Sequence, residues 1–509
     1  MTDFPWLTVL GAVPLVGAVG VALLPRGRDL LAKQVALAVS LVALVLTLAV
    51  ALRFDPDVSG FQLTETHAWI PQFGISYAVG VDGIALVLLG LTAILTPICI
   101  LAAWHDADAG KRSVKAYFAL ILVLETMCFG VFSATDVFLF YFFFEAMLVP
   151  MYFIIGSYGG AQRSYAAVKF LLYSLLGGML MLAALIGLYV VSPGGDQAFL
   201  LDNLIGMPID ATTGKWLFLG FFAAFAVKAP MWPVHTWLPD AASEAPPSGA
   251  VLLVGVLDKV GTFGMIRLCL PLFPDASKWA TPAIIVLATV GVIYGALLAI
   301  GQRDVMRLIA YTSISHFGIM VLGIFAMTSQ GQAGATLYML NHGLVTGALF
   351  LIAGMMIHRR GSRMIADFGG VQRVAPMIAG SFLVAGLAGL ALPGLNSFVS
   401  EFLSLVGTFT RYPAAAIVAT TAIILAAIYI LLTYQRMCTG PVTEHTKSWT
   451  DMTRREVWVV APLIAVIVAL GFYPKPVLDV ITPAVQTTMT QVGVQDPAPT
   501  VPVAEGTQQ

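Results

Sequence analysis

Eight side chains that can gain or lose a proton lie inside apolar stretches of this 509-residue sequence: Glu125, Glu145, Lys228, Asp258, Lys259, His316, His342 and Glu401. An ionisable group at the centre of a membrane helix costs at least ~2.5 to 3.5 kcal/mol on insertion scales, so each is a functional candidate by default. Glu145 follows Phe142, Phe143 and Phe144 and precedes Ala146-Met147-Leu148-Val149-Pro150, too far from either surface to snorkel. A nearby lysine would hold it ionised. Lys228 opens the segment Lys-Ala-Pro-Met-Trp-Pro-Val-His-Thr-Trp-Leu-Pro, in which Pro230 and Pro233 remove backbone donors and break the helix. A break at membrane depth survives only where the freed carbonyls meet protein or water. Lys228 therefore has a wet route beside a desolvated resting place, the alternative being a static ion pair that ties two helices together.

The late half repeats the pattern. Ala391-Leu392-Pro393-Gly394 interrupts a long apolar run, Pro393 marking the break, and Glu401 follows within it. Paired interrupted helices in the two halves of a chain point to an ion site in a transporter. Glu145 and His316 are 171 residues apart, and Lys228 and Glu401 are 173 apart, so an inverted repeat in loose register is expected. His316 and His342 lie mid-span among hydroxyls and an amide, where titration near neutral pH and held water suit a relay; a lone core histidine is otherwise structural. Neighbours on a helix do not face each other, so Asp258 is expected to serve another lysine or a water rather than Lys259. His235 and Asp240 read as interfacial, and Glu125 reads equally well either way. These residue types allow proton (or cation) transfer along the membrane plane, from a buried acid to a terminal acid. None of them moves electrons, so the driving energy must arrive from elsewhere.

The elements that position these groups follow from composition. The chain is 59% hydrophobic and 10% charged, against about 25% charged in soluble proteins, which makes it a polytopic membrane protein. Apolar runs of about 20 residues suit a bilayer core roughly 30 Å thick, and about 14 occur. The expected fold is all-α, with two inverted five-helix repeats that each hold one proline-broken helix. Residues 1–113 would form three helices with an extracytoplasmic hairpin near 54–82. Residues 114–268 and 279–437 would form the repeats, and 438–509 a last helix with a weakly ordered tail from Asp479. With the N-terminus outside, eighteen of the 26 Lys and Arg fall in odd-numbered connections and six in even-numbered ones and the tail. The positive-inside rule then places both termini on the extracytoplasmic side.

Other classes are excluded by what the sequence lacks. The basic residues are scattered and the net charge is -1, so no nucleic-acid footprint exists. Cys99, Cys128, Cys269 and Cys438 show no CxxC spacing, so no metal site is expected. No GxGxxG or GxxxxGK[ST] offers a nucleotide pocket.

Four segments resemble a known family. Phe144-Glu145-Ala146-Met147-Leu148-Val149-Pro150-Met151-Tyr152-Phe153, the Lys228 to Asp240 segment, Arg307-Leu-Ile-Ala-Tyr-Thr-Ser-Ile-Ser-His316 and Asn396-Ser-Phe-Val-Ser-Glu401 resemble the antiporter-like M-type membrane subunits of respiratory complex I, the proton-translocating NADH-quinone oxidoreductase. The glutamate at 401 favours the M-type over its L- and N-type relatives, and the length leaves no room for the L-type's lateral helix. The resemblance implies that Glu145 and Lys228 form an ion pair whose opening releases a proton. Lys259, His316 and His342 would pass that proton to Glu401, the exit group. It also implies flavin and iron-sulfur clusters in partner subunits but no cofactor in this chain. The implied setting is a bacterial inner membrane, with L- and N-type neighbours and lipid as contacts. Three positions depart from the family pattern: Phe144 where tryptophan is common, Ala242 where histidine often stands, and Asp258 beside Lys259. A subunit of a multisubunit cation/proton antiporter or of a membrane-bound hydrogenase-type complex is the alternative, and a structural scaffold without a conducted ion is a more distant one.

Overall fold

The computed structural model describes residues 4–107 and 112–498. The chain opens with two helices, α1 (Trp6–Leu23) and α2 (Asp29–Arg53), of which about a third or less is buried. Their apolar outer faces, with Val16, Val45 and Leu52 exposed, are chemically suited to lipid. An antiparallel hairpin, β1 (Gln62–Ile70) and β2 (Ile75–Val81), turns at Gly74, whose φ of 67° needs a residue without a side chain.

The helical body follows: α3 (Gly83–Ala102), α4 (Val114–Ser133), α5 (Val137–Tyr158) and α6 (Arg163–Val191). Side chains of Asp82, Ser113 and Asp136 cap the starts of α3, α4 and α5, satisfying amide groups the helix cannot pair itself. Next, α7 (Ala211–Lys228) ends at the first break, and α8 (Trp237–Glu244) resumes the path. α9 (Pro247–Leu272) is buried along almost all of its length and contains two π-helical stretches, Leu253–Leu257 and Met265–Cys269. One residue later α10 (Pro274–Ile300) begins, followed by α11 (Val305–Phe325) and α12 (Ser329–Arg360). The apolar run 374–409 is two helices, α13 (Pro376–Gly389) and α14 (Asn396–Phe409), joined through the second break. There Ala391 and Gly394 take positive φ values of 59° and 92°. α15 (Pro413–Cys438), α16 (Arg454–Phe472) and α17 (Lys475–Val492) complete the described chain.

Among the described residues twelve helices are long and apolar enough to cross a membrane, and the two interrupted paths α7–α8 and α13–α14 come in addition. The expected weakly ordered tail is corrected: 475–492 is a helix whose Ile481, Val485, Met489 and Val492 are buried, an apolar stripe at helical spacing that packs on α3 and α12. Residues 499–509 lie outside the described residues. Lys169 and Arg267 are among the Lys and Arg that the sequence count placed in connections. Both sit inside helices and pair with carboxylates, Lys169 with Asp240 at 2.7 Å and Arg267 with Asp82 at 2.6 Å.

α9 sits where the two halves meet. It packs on α7 and α4 on one side and on α3 and α12 on the other.

Candidate proton-transfer site

The first break places a lysine at a helix end. α7 stops at Lys228, and Trp237 on α8 donates its indole N–H to the freed Val227 carbonyl at 2.9 Å. Lys228 is buried and its ammonium donates no hydrogen bond to the protein. It lies 4.8 Å from the ring centroid of Phe144 and 5.9 Å from that of Phe170, where aromatic faces attract a cation. Phe144, where the family pattern commonly has tryptophan, thus supplies the ring beneath the charge.

Glu145 is half-buried on α5 and packs on Gly178 of α6 so closely that a Cβ there would come 1.6 Å from Oε1. Its electrostatic partner is Lys228. The ion pair implied by the resemblance is not closed here, since the Lys228 ammonium and Glu145 Oε1 have no direct partner. Glu125, on α4, is buried with both oxygens unbonded and Thr96 beside it; it is not joined to the other groups by hydrogen bonds.

Beyond α9 the groups touch one another. Lys259 donates to the Val254 carbonyl five residues earlier, an acceptor that the i→i+5 geometry of the π-helix presents. Its ammonium also pairs with His342 Nδ1 at 2.7 Å. The His342 and His316 rings lie 5.3 Å apart, and the His316 and Tyr338 rings 5.7 Å apart. Tyr338 donates its hydroxyl to Glu401 Oε2 at 2.8 Å, and the Tyr429 hydroxyl is 3.5 Å from His316 Nε2. Lys259, His342, His316, Tyr338 and Glu401 therefore form one buried line from α9 across α12 and α11 to α14. His316 lies against the Gly389 backbone at the second break, and Pro393 and Glu401 border a lateral apolar groove of about 600 Å³.

Sequence reasoning missed Tyr338, Tyr429 and the Asn341–Asn396 pair, in which Asn341 Nδ2 donates to the Asn396 carbonyl at 2.7 Å. Tyr338 stands four residues before His342, on its helix face, and that spacing was the available signal; Asn341 is the sequence neighbour of His342 and had no such signal. His235, read from the sequence as interfacial, is buried within the protein with its ring 5.1 Å from Tyr294.

At the basic end, ion pairs tie the halves together. Asp240 bonds Lys169 and also Arg307 at 2.6 Å, while Arg363 bonds Glu244 at 2.6 Å and Asp304 at 2.7 Å. Burial pushes the Asp304 carboxyl above the usual carboxylate range against the opposing pull of Arg363. Among the described residues no three His, Cys, Asp or Glu side chains gather to hold a metal ion, and the four cysteines are buried free thiols.

Residues 134–426 match the family described as NADH:quinone oxidoreductase/Mrp antiporter, transmembrane. The chain is 54% identical to NADH-quinone oxidoreductase subunit M of Mycobacterium tuberculosis strain H37Rv, over 98% of this chain and 97% of that one. It is 42% identical to the subunit M of Rhodobacter capsulatus, over 94% and 95%. Respiratory complex I from Thermus thermophilus with bound NADH contains a chain that superposes with a TM-score of 0.88 at 29% identity, covering 96% of this chain and 100% of that one. A chain of the Mrp complex from Dietzia sp. DQ12-45-1b superposes with a TM-score of 0.84 at 23% identity, over 97% and 100%, which shows the shared fold. The chain belongs to the subunit M family of NADH-quinone oxidoreductases, within the wider group of antiporter-like membrane subunits.

Proposed function

We propose that this chain is a proton-translocating membrane subunit of an NADH-quinone oxidoreductase, moving protons while other subunits carry the electrons. The observation that carries the reading is the buried line Lys259–His342–His316–Tyr338–Glu401, with a broken helix beside each end of the path. The energy comes from quinone chemistry elsewhere in the complex, which perturbs a neighbouring subunit. Glu145 and Lys228 form the switch. When a conformational push separates them, the carboxylate no longer holds the proton on the lysine. The proton passes by way of Lys259 and the histidines to Glu401, which releases it. Against ~100 mV each proton needs about 2.3 kcal/mol.

Fourteen membrane crossings with an inverted relation between 114–268 and 279–437 fit this scheme, although α9 runs on to Leu272. The setting is a bacterial inner membrane, with basic loops in the cytoplasm and both termini outside. L- and N-type subunits would flank the chain, which holds no cofactor itself, and Glu145, only partly buried, is placed to feel a neighbour. His235 is kept as a secondary member of the wet region at the first break.

Purification of the tagged protein in mild detergent tests the assignment. Flavin and iron-sulfur absorption with NADH oxidation by quinone is the expected result. A colourless complex with sodium-dependent proton exchange would overturn it.

A further inference from the structure

The path described above has a gap between Lys228 and Lys259, and Asp258 stands in it. We propose that Asp258 is the relay that carries protons from Lys228 to Lys259 through the body of α9, an inference that rests on the proton-translocating reading. Asp258 is 0% exposed, and neither carboxylate oxygen accepts a hydrogen bond from the protein. Gly261, one turn later, is pressed against the end of α7: a Cβ there would come 2.4 Å from the Ala229 amide nitrogen and 2.7 Å from the Phe225 carbonyl. Residues three apart share a helix face, so Asp258 is on the face of α9 that meets the first break and Lys228. Lys259, about 100° further round the helix, reaches instead toward Val254 and His342. One helix thus presents a carboxylate to the first half and an ammonium to the second. The electrostatic partners of the Asp258 carboxylate are Lys259 and Lys228, and those of Lys228 include Glu145 and Asp258.

A fixed neutralising charge would be expected to take direct hydrogen bonds, because a buried carboxylate without them is costly. Asp258 and Lys228 both lack them, which suits groups that exchange a proton. In the first step an N–H bond of the Lys228 ammonium breaks and an O–H bond forms on Asp258, leaving a neutral amine and a neutral acid. In the second step that O–H breaks and an N–H forms on neutral Lys259, restoring the carboxylate. The net charge of the three groups is unchanged throughout, and a bridging water would accept and give one proton in each step.

The test compares Asp258→Asn, Asp258→Glu and Lys228→Ala in the whole complex in proteoliposomes, reading protons moved per NADH oxidised. Asp258→Asn keeps the shape and removes the exchangeable carboxyl. It is expected to lower the ratio as far as Lys228→Ala does, while Asp258→Glu restores more than half of the loss. If Asp258→Asn pumps like the wild type while Lys228→Ala does not, the relay is refuted and the general reading stands. If Lys228→Ala also pumps normally, the general reading fails with it. If Asp258→Asn does not assemble, the glutamate variant decides alone: a ratio at the level of Lys228→Ala overturns the relay, and a near-normal ratio supports it.

Discussion

Replacing Glu145 with glutamine isolates the electrostatic half of the switch. The amide is nearly isosteric, so the close fit against Gly178 is kept and only the charge is lost. Two unit charges about 6 Å apart in an effective dielectric of 20 would interact by about 2.8 kcal/mol, the scale available to a carboxylate and an ammonium that face each other without a direct hydrogen bond. That work is close to the roughly 2.3 kcal/mol required to move one proton against 100 mV. Without the carboxylate, separation of the two groups has no charge interaction to convert. Glu145→Gln should therefore assemble, oxidise NADH with an artificial acceptor at the normal rate, and lose most of this subunit's pumping as the membrane potential rises. The assay is proton uptake per NADH in inside-out vesicles, with potential clamped low or high by potassium and valinomycin. An unchanged ratio at high potential would refute the electrostatic coupling.

Other perturbations have equally definite outcomes. Tyr338→Phe removes the 2.8 Å hydrogen bond to buried Glu401 and leaves an acceptor unpaired at a cost of about 1–3 kcal/mol; pumping should slow about tenfold while assembly, read on native gels, persists. Gly178→Ala puts a Cβ 1.6 Å from Glu145 Oε1, so the carboxylate must move, and pumping should fall more than the amount of assembled complex. Gly261→Val would collide with the backbone of Ala229 and Phe225, and because backbone cannot swing aside as a side chain does, loss of assembled complex is expected.

Much of the site is legible in the sequence because charge in an apolar helix is conspicuous. Glu145, Lys228, Lys259 and Glu401 stand out against their neighbours, and Pro230 and Pro393 mark where the helices stop. Tyr338 and Tyr429 do not stand out, since a tyrosine is ordinary in a membrane helix and only its hydroxyl's partner reveals a role. The π-helical stretches of α9 are equally hidden, because a single i→i+5 turn leaves no periodicity to read. Adjacency suggested that Asp258 and Lys259 point apart, but only the packing of Gly261 on Ala229 reveals which face of α9 meets the first break. His235 gave no sign of its packing either: the chain between α7 and α8 brings it against Tyr294. The helix 475–492 was misread because its threonines and prolines masked the stripe of Ile481, Val485, Met489 and Val492.

The most direct measurement is the proton-to-NADH ratio of the purified complex carrying Lys228→Ala, reconstituted beside the wild type and matched for NADH oxidation with an artificial acceptor. A sharply lower ratio in a fully assembled complex is the expected result, since Lys228 is the buried lysine that ends α7 at the first helix break. An unchanged ratio in that assembled complex would contradict proton passage through this chain by the path from Lys228 to Glu401.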